Sequence, residues 1–114
     1  MKTLPVLQPL CCGPDTPRID PEAAEALAAT FKVLADPTRV GIVNRLANGE
    51  PCCVCDLTAA FELSQPTVSH HLRVLRDAGL VEPERRGTFA YYRLVPDSVE
   101  RLRGVFAPSV LVPA

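Results

Sequence analysis

The hydrophobic period of the chain changes at Ala78-Gly79, and this change limits the folds that the sequence can adopt. Before Ala78-Gly79, apolar residues recur every three or four positions, as they do in amphipathic helices. After it, residues 80–86 and 89–94 have the pattern of two strands joined by a turn at Gly87-Thr88. Pro83 lacks a backbone N–H group, which predicts that the first strand lies at a sheet edge or that Pro83 stands at its frayed end. The pattern indicates a mainly helical chain with a small β-hairpin.

Capping residues and prolines divide the rest of the chain into helices. Asp20-Pro21 and Asp36-Pro37 each combine an N-cap residue with a proline at the first helical position. The predicted apolar stripes are Leu27, Phe31 and Leu34; Val40, Val43 and Leu46; Val54, Leu57 and Phe61; Val68, Leu72 and Leu75; and Val99, Leu102 and Phe106. The order helix, helix, helix-turn-helix, hairpin, helix predicts a winged helix-turn-helix, an α+β fold, with the helix-turn-helix unit at 53–61 and 64–77.

Length and composition limit the organisation of the chain. The 114 residues allow one domain, which we predict at 20–107, after a Pro-rich N-terminal arm at 1–19 and before a loose tail at 108–114. Apolar runs stay shorter than the roughly 18 residues of a membrane span, and the N-terminus does not resemble a signal peptide, so a cytoplasmic protein is expected. An enzyme is disfavoured, because the chain has no Gly-rich phosphate loop and no Cys-x-x-Cys pair beside a βαβ pattern.

The second helix of a helix-turn-helix unit lies in the major groove of double-stranded DNA. Its outward side chains here form hydrogen bonds or carry positive charge, as base and phosphate contacts require. Residues 64–93 hold five basic and three acidic residues, although the whole chain has a net charge of -1. The predicted DNA contacts are Ser64, Gln65, Thr67, Ser69, His70, Arg73, Arg85 and Arg86. A solvated helix face is the alternative interpretation.

The five cysteines fall in two clusters, Cys11-Cys12 and Cys52-Cys53 with Cys55. An odd number in two tight groups is a poor disulfide framework, and clustered thiols in a cytosolic chain more often bind metal or sense redox state. Small buried hydrophobic residues are the alternative. Positions i and i+2 of a helix face apart, so Cys53 and Cys55 share an ion only if Cys53 precedes the first regular turn or if binding unwinds that turn. Cys52 and Cys55, at i and i+3, are the rival pair.

The run CVCDLTAAFELSQPTVSHHLRVLRDAGLV at residues 53–81 resembles the ArsR/SmtB family of metal- and metalloid-sensing bacterial repressors. The segment FKVLADPTRVGIVNRL at 31–46 is similar to the first two core helices of that family, and RRGTFAYYRL at 85–94 is similar to its wing. The resemblance covers residues 22–106. It implies a homodimer, joined by its first and last helices, that represses a resistance operon from operator DNA until its ligand binds.

The resemblance also implies a ligand site. The sequence CVCDL is similar to the thiolate inducer site of the arsenic-sensing members, but Thr58 stands where those members have a third cysteine. Some members recruit cysteines from an N-terminal arm instead. The predicted ligands are Cys53 and Cys55 with Cys11, Cys12 or both, and with Cys52 as the alternative. Soft thiolates favour soft ions, and the implied inducer is As(III). Cd(II) or Pb(II) is one alternative, and a redox or reactive-sulfur sensor with a reversible disulfide between the two clusters is another.

Overall fold

The computed structural model describes residues 19–106, and this region forms five helices and a three-stranded sheet. The elements are α1 (Pro21–Val33), α2 (Pro37–Leu46), β1 (Cys52–Cys53), α3 (Val54–Phe61), α4 (Gln65–Asp77), β2 (Val81–Arg86), β3 (Phe89–Leu94) and α5 (Pro96–Phe106). Helices α3 and α4 form the predicted helix-turn-helix, and β2 and β3 form the predicted wing. Cys11, Cys12, most of the predicted arm and the predicted tail lie outside the described residues.

Side-chain oxygen atoms cap the starts of α2 and α4. The Ser64 hydroxyl accepts a hydrogen bond from the Thr67 backbone N–H at 3.3 Å at the start of α4. The Asp36 carboxylate accepts from the backbone N–H groups of Thr38 at 2.9 Å and Arg39 at 3.2 Å at the start of α2. The bond from Arg39 is the main cause that lowers the pKa of Asp36 below its ordinary value of 3.8. Asp20 caps α1 without a side-chain hydrogen bond.

The sheet is antiparallel, with the strand order β1-β3-β2. Strand β2, which contains Pro83, lies at an edge, as predicted. The predicted hairpin of β2 and β3 is present, and β1 adds a third strand that was not predicted, in which Cys52 lies opposite Tyr92 and Cys53 opposite Tyr91. A strand of two residues has no period of its own, so the sequence pattern does not reveal it. Its consequence is that the cysteine segment is hydrogen-bonded to the wing.

The core lies where α2, α3 and α4 meet the base of the wing. The largest fully buried side chains are Ile42, Leu46, Leu57, Leu72, Leu75, Leu80, Val68 and Val81. This confirms the predicted stripe of α4. In α2, the prediction was wrong for Val40, which is 52% exposed, since Ile42 and Leu46 at i and i+4 define the inner face instead. Among residues 19–106, no helix is long and apolar enough to span a membrane.

Helix α1 differs from the other helices in that it buries none of its residues. Its predicted stripe is only partly covered, because Leu27 is half-buried and Phe31 is 36% exposed. The ring of Phe31 lies edge-on to that of Phe106 in α5, with 6.1 Å between the ring centroids. Phe106 is itself 76% exposed. Helices α1 and α5 therefore present apolar side chains at the surface of a single chain.

Candidate functional site

Cys53 and Cys55 meet at the start of α3. Cys53 is the N-cap residue, with extended backbone angles of φ -83 and ψ 161, and Cys55 lies in the first turn of the helix. A disulfide joins the two sulfur atoms. The expectation of a poor disulfide framework was therefore wrong for this pair, because the extended backbone at Cys53 turns its side chain back over the first turn. The pair converges because Cys53 precedes the first regular turn.

Asp56 completes a small group of potential ligands with these cysteines. Its backbone N–H donates to the Cys53 sulfur at 3.3 Å. One ligand atom from each of Cys53, Cys55 and Asp56 lies within 4.8 Å of the other two. Asp56 was not predicted from the sequence, although it stands three residues after the N-cap cysteine, where a capping side chain contacts the backbone. The group offers two soft sulfur atoms and one hard oxygen.

Cys52 lies apart from this group. It is half-buried and packs against the hydrophobic core, and it carries a free thiol. Successive side chains of a strand point to opposite faces, so Cys52 and Cys53 in β1 cannot turn to the same side. The group formed by Cys53, Cys55 and Asp56 does not include it.

A cavity of about 390 Å³ lies beside the two bonded cysteines. Its lining residues are Cys53, Val54, Cys55, Thr58, Gln65, Thr88, Phe89 and Ala90. They come from the end of β1, from α3, from the first residue of α4, and from the turn of the wing and the start of β3. The Thr58 hydroxyl donates to the Cys55 carbonyl oxygen at 2.8 Å. A molecule in this cavity would thus touch the Cys53–Cys55 pair, the start of α4 and the wing together.

The outward face of α4 carries the predicted DNA-reading side chains. Gln65, Thr67, His70 and Arg73 are exposed, whereas Ser69 is half-buried. Ser64 is exposed too, and its hydroxyl donates to the Thr67 hydroxyl oxygen at 2.9 Å in addition to capping the helix. Most of the predicted set is therefore accessible from solvent.

The basic residues of the wing differ in their surroundings. The Arg86 guanidinium pairs with Glu84 at 3.0 Å and lies 4.9 Å from the centroid of the Tyr91 ring. Arg93 bridges Glu82 and Glu84. Arg85 forms no ion pair within residues 19–106. Arg85 is therefore better placed than Arg86 to bind a DNA phosphate.

A winged helix-turn-helix with an exposed polar face on its second helix defines a DNA-binding protein. Residues 36–83 match the family described as "Bacterial regulatory protein, arsR family". The arsenical resistance operon repressor of Bacillus subtilis is 44% identical over 72 residues, which are 63% of this chain and 69% of that protein. The chain belongs to the ArsR family, as its resemblance implied, and is a DNA-binding transcriptional repressor rather than an enzyme.

Relatives named for arsenic resistance and for cadmium resistance both match the chain. The arsenic resistance regulator of Pseudomonas putida is 49% identical over 67 residues, 59% of this chain, but the chain spans only 52% of that protein. A homologue of the cadmium resistance regulator from Staphylococcus aureus is 40% identical over 76 residues, 67% of this chain and 63% of that protein. A solved homodimeric winged helix-turn-helix domain from Mycobacterium bovis matches with a TM-score of 0.64 and 32% identity, covering 82% of this chain and 87% of the other.

Proposed function

We propose that this protein is a cytoplasmic, As(III)-responsive repressor that binds operator DNA as a homodimer and leaves it when cysteine thiolates bind the metalloid. The observation that carries this proposal is the convergence of the Cys53 and Cys55 sulfur atoms beside the start of the reading helix. Relatives named for arsenical resistance support As(III) as the inducer.

The lining of the cavity favours a third cysteine ligand from another part of the chain or from the other protomer. The family resemblance implies a pyramidal As(III) complex with three thiolates, whereas Cys53 and Cys55 supply two. Thr58, which stands at the family's third position, lines the same cavity but offers a hydroxyl that is bonded to the Cys55 carbonyl. Cys11 or Cys12 of the arm, from the same or the other protomer, is therefore the proposed third ligand.

The same residues suggest how binding releases DNA. The Cys53 sulfur caps α3, and the Cys53 backbone pairs with the wing at Tyr91. A ligand that takes the sulfur weakens the cap, and a ligand in the cavity contacts Gln65 and the turn of the wing. Both DNA-contacting elements would then shift. A thousandfold loss of operator affinity corresponds to about 4 kcal/mol of coupling, which strong thiolate bonds can supply.

The surface of α1 and α5 supports the homodimer. Helix α1 buries no residue within its own chain, and Phe31, Val105 and Phe106 are exposed. Contiguous apolar surface of this kind marks interaction sites in soluble proteins. A second copy that covers these two helices would bury it.

The decisive experiment is operator binding by the reduced protein at fixed salt concentration, with and without arsenite. A reductant is needed because a disulfide between Cys53 and Cys55 leaves no thiolate on either residue. Arsenite should release the wild-type protein but not Cys55→Ser, and the double variant Cys11→Ser/Cys12→Ser should also lose the response. Retention of wild-type protein on the operator at saturating arsenite would refute the proposal. A full response from the arm variant would remove the arm from the ligand set.

A Cd(II) or Pb(II) sensor is the second candidate, and Asp56 is the observation that favours it. A carboxylate oxygen beside two sulfur atoms suits a divalent ion better than it suits As(III). Cadmium should then give an intense ultraviolet thiolate-to-metal band and release the operator, whereas arsenite should not. The Asp56→Asn variant would weaken the cadmium response alone, since Asn keeps the side-chain volume but not the charge.

A further inference from the structure

Arg39, in the first turn of α2, forms hydrogen bonds to two other helices. Its Nε donates to Nδ1 of His71 in α4 at 3.1 Å, and its Nη1 donates to the backbone carbonyl oxygen of Val33 at 3.2 Å. Val33 is the last residue of α1. One guanidinium therefore joins the end of α1 to the middle of the reading helix.

The rest of α1 is held weakly by its own chain. A groove of about 800 Å³ lies between α1 and α4, and Leu27, Val33 and Val74 are among its lining residues. Within residues 19–106, the Arg39–Val33 bond is the only hydrogen bond from a side chain that joins α1 to another helix. Arg39 is thus the polar link between α1 and α4, beside the apolar packing of Val33 against the core.

The chemistry of the bond makes it directional. A guanidinium is always protonated and can only donate, so Nδ1 of His71 is the acceptor in this bond. His71 is half-buried and follows His70, which is exposed on the outward face. The bond therefore contacts α4 on its half-buried side and leaves the outward side chains accessible.

We propose that Arg39 is a positioning residue for operator binding, which sets the place of α4 relative to α1 through Nδ1 of His71. A dimeric reader must present its two reading helices at a fixed separation, about one turn of DNA apart. If α1 joins the protomers, a step that rests on the proposed homodimer, Arg39 fixes each α4 relative to the dimer interface and so helps to set the separation of the two reading helices. The bond itself lies within one chain and requires no inducer.

Two substitutions of His71 separate this positioning role from the alternative, in which His71 contacts a DNA phosphate directly. In His71→Asn the amide oxygen lies close to the place of Nδ1 and accepts from Arg39, whereas in His71→Gln the amide lies near the place of Nε2. We expect His71→Asn to bind operator within about threefold of wild type, and His71→Gln and Arg39→Met to bind about tenfold more weakly. Arg45→Met, on the same helix, is the matched control and should bind as wild type does.

A double variant completes the test. Because both residues act through one bond, Arg39→Met/His71→Gln should bind no more weakly than the weaker single variant. The dependence of affinity on salt should keep its wild-type slope, because no phosphate contact is removed. The opposite ranking would overturn the proposal. If His71→Gln bound operator as wild type does, if His71→Asn bound weakly, and if the slope of log affinity against log salt fell by about one, His71 would be a phosphate contact. Wild-type affinity in both His71→Gln and Arg39→Met would overturn it as well.

Measurements of folding and assembly keep the result interpretable. Thermal unfolding shows whether Arg39→Met is folded, and if it is not, the two His71 variants still decide the question by their ranking. Sedimentation shows whether each variant dimerises to the same extent as wild type. Release by arsenite, measured separately, tests the proposed inducer and does not enter the comparison of inducer-free affinities.

Discussion

Cys53 lies opposite Tyr91 in the antiparallel pair of β1 and β3, and its sulfur also caps α3. One residue thereby connects the candidate ligand site to the wing and to the first helix of the helix-turn-helix unit. Helix α3 also packs on α4, so a displacement of Cys53 would reach the reading helix through this contact. Cys53, which would bind the inducer, is therefore also a structural residue of the wing and of α3, the helix that packs on the reading helix.

The cap at Cys53 can be separated from its role as a ligand. A serine hydroxyl is a good N-cap acceptor, so Cys53→Ser should keep the bond to the Asp56 N–H, whereas Cys53→Ala should lose it at a cost of about 1 kcal/mol in the free energy of unfolding. Both variants should lose the response to arsenite. Urea denaturation of the reduced proteins gives the first quantity, and operator release gives the second. Equal stability of the two variants would show that the cap contributes nothing.

The two arginines predicted at the wing should differ in their contribution to DNA binding. Arg85 has no ion-pair partner within the described part of the chain, whereas Arg86 is held by Glu84 and lies over Tyr91. We expect Arg85→Gln to weaken operator binding and to reduce the slope of log affinity against log salt by about one. Arg86→Gln should change both less. Titrations at several salt concentrations measure this, and a larger effect at Arg86 would contradict the assignment.

Much of the fold could be predicted from the sequence because its signals are local. Ser64 and Asp36 mark helix starts by their own side chains, and Val68, Leu72 and Leu75 mark the buried face of α4 by their spacing. The pairing of β1 with β3 could not be predicted in this way, because it joins residues far apart in the chain. The bond between Arg39 and His71, 32 positions apart, was missed for the same reason.

The candidate site was predicted in part. The choice of Cys53 and Cys55 followed from a resemblance, but the local pattern left open how side chains at i and i+2 could meet. The answer depends on the backbone conformation of Cys53, which the residue types around it do not specify. The apolar stripe of α1 shows a related limit, since a period identifies an apolar face but not what covers it.

The glycine in the middle of α2 is required by the packing of α3. A Cβ atom at Gly41 would lie 2.7 Å from Cε1 of Phe61, at the end of α3. We expect Gly41→Ala to be destabilised by about 1–3 kcal/mol, because the ring must move within a packed core. Gly104→Ala is the matched control, because its Cβ meets nothing within 4 Å, and it should be stabilised by up to about 1 kcal/mol through helix propensity. Urea denaturation measures both, and a stabilised Gly41→Ala would contradict the close contact.

Asp36 should make the stability of the protein depend on pH in the acid range. Because hydrogen bonds from the Arg39 and Thr38 backbone lower the pKa of its carboxyl in the folded state, the charged form favours folding. That contribution is fully present well above 3.8, the ordinary pKa, and is lost as the pH falls through the lower pKa of the folded protein. Asn caps helices about as well as Asp but does not titrate, so Asp36→Asn should be less stable than wild type at neutral pH and should approach it as the pH falls below 3.8. Unfolding measured across this range, with Glu50→Gln as an exposed control, tests the linkage, and a difference between Asp36→Asn and wild type that stays constant with pH would contradict it.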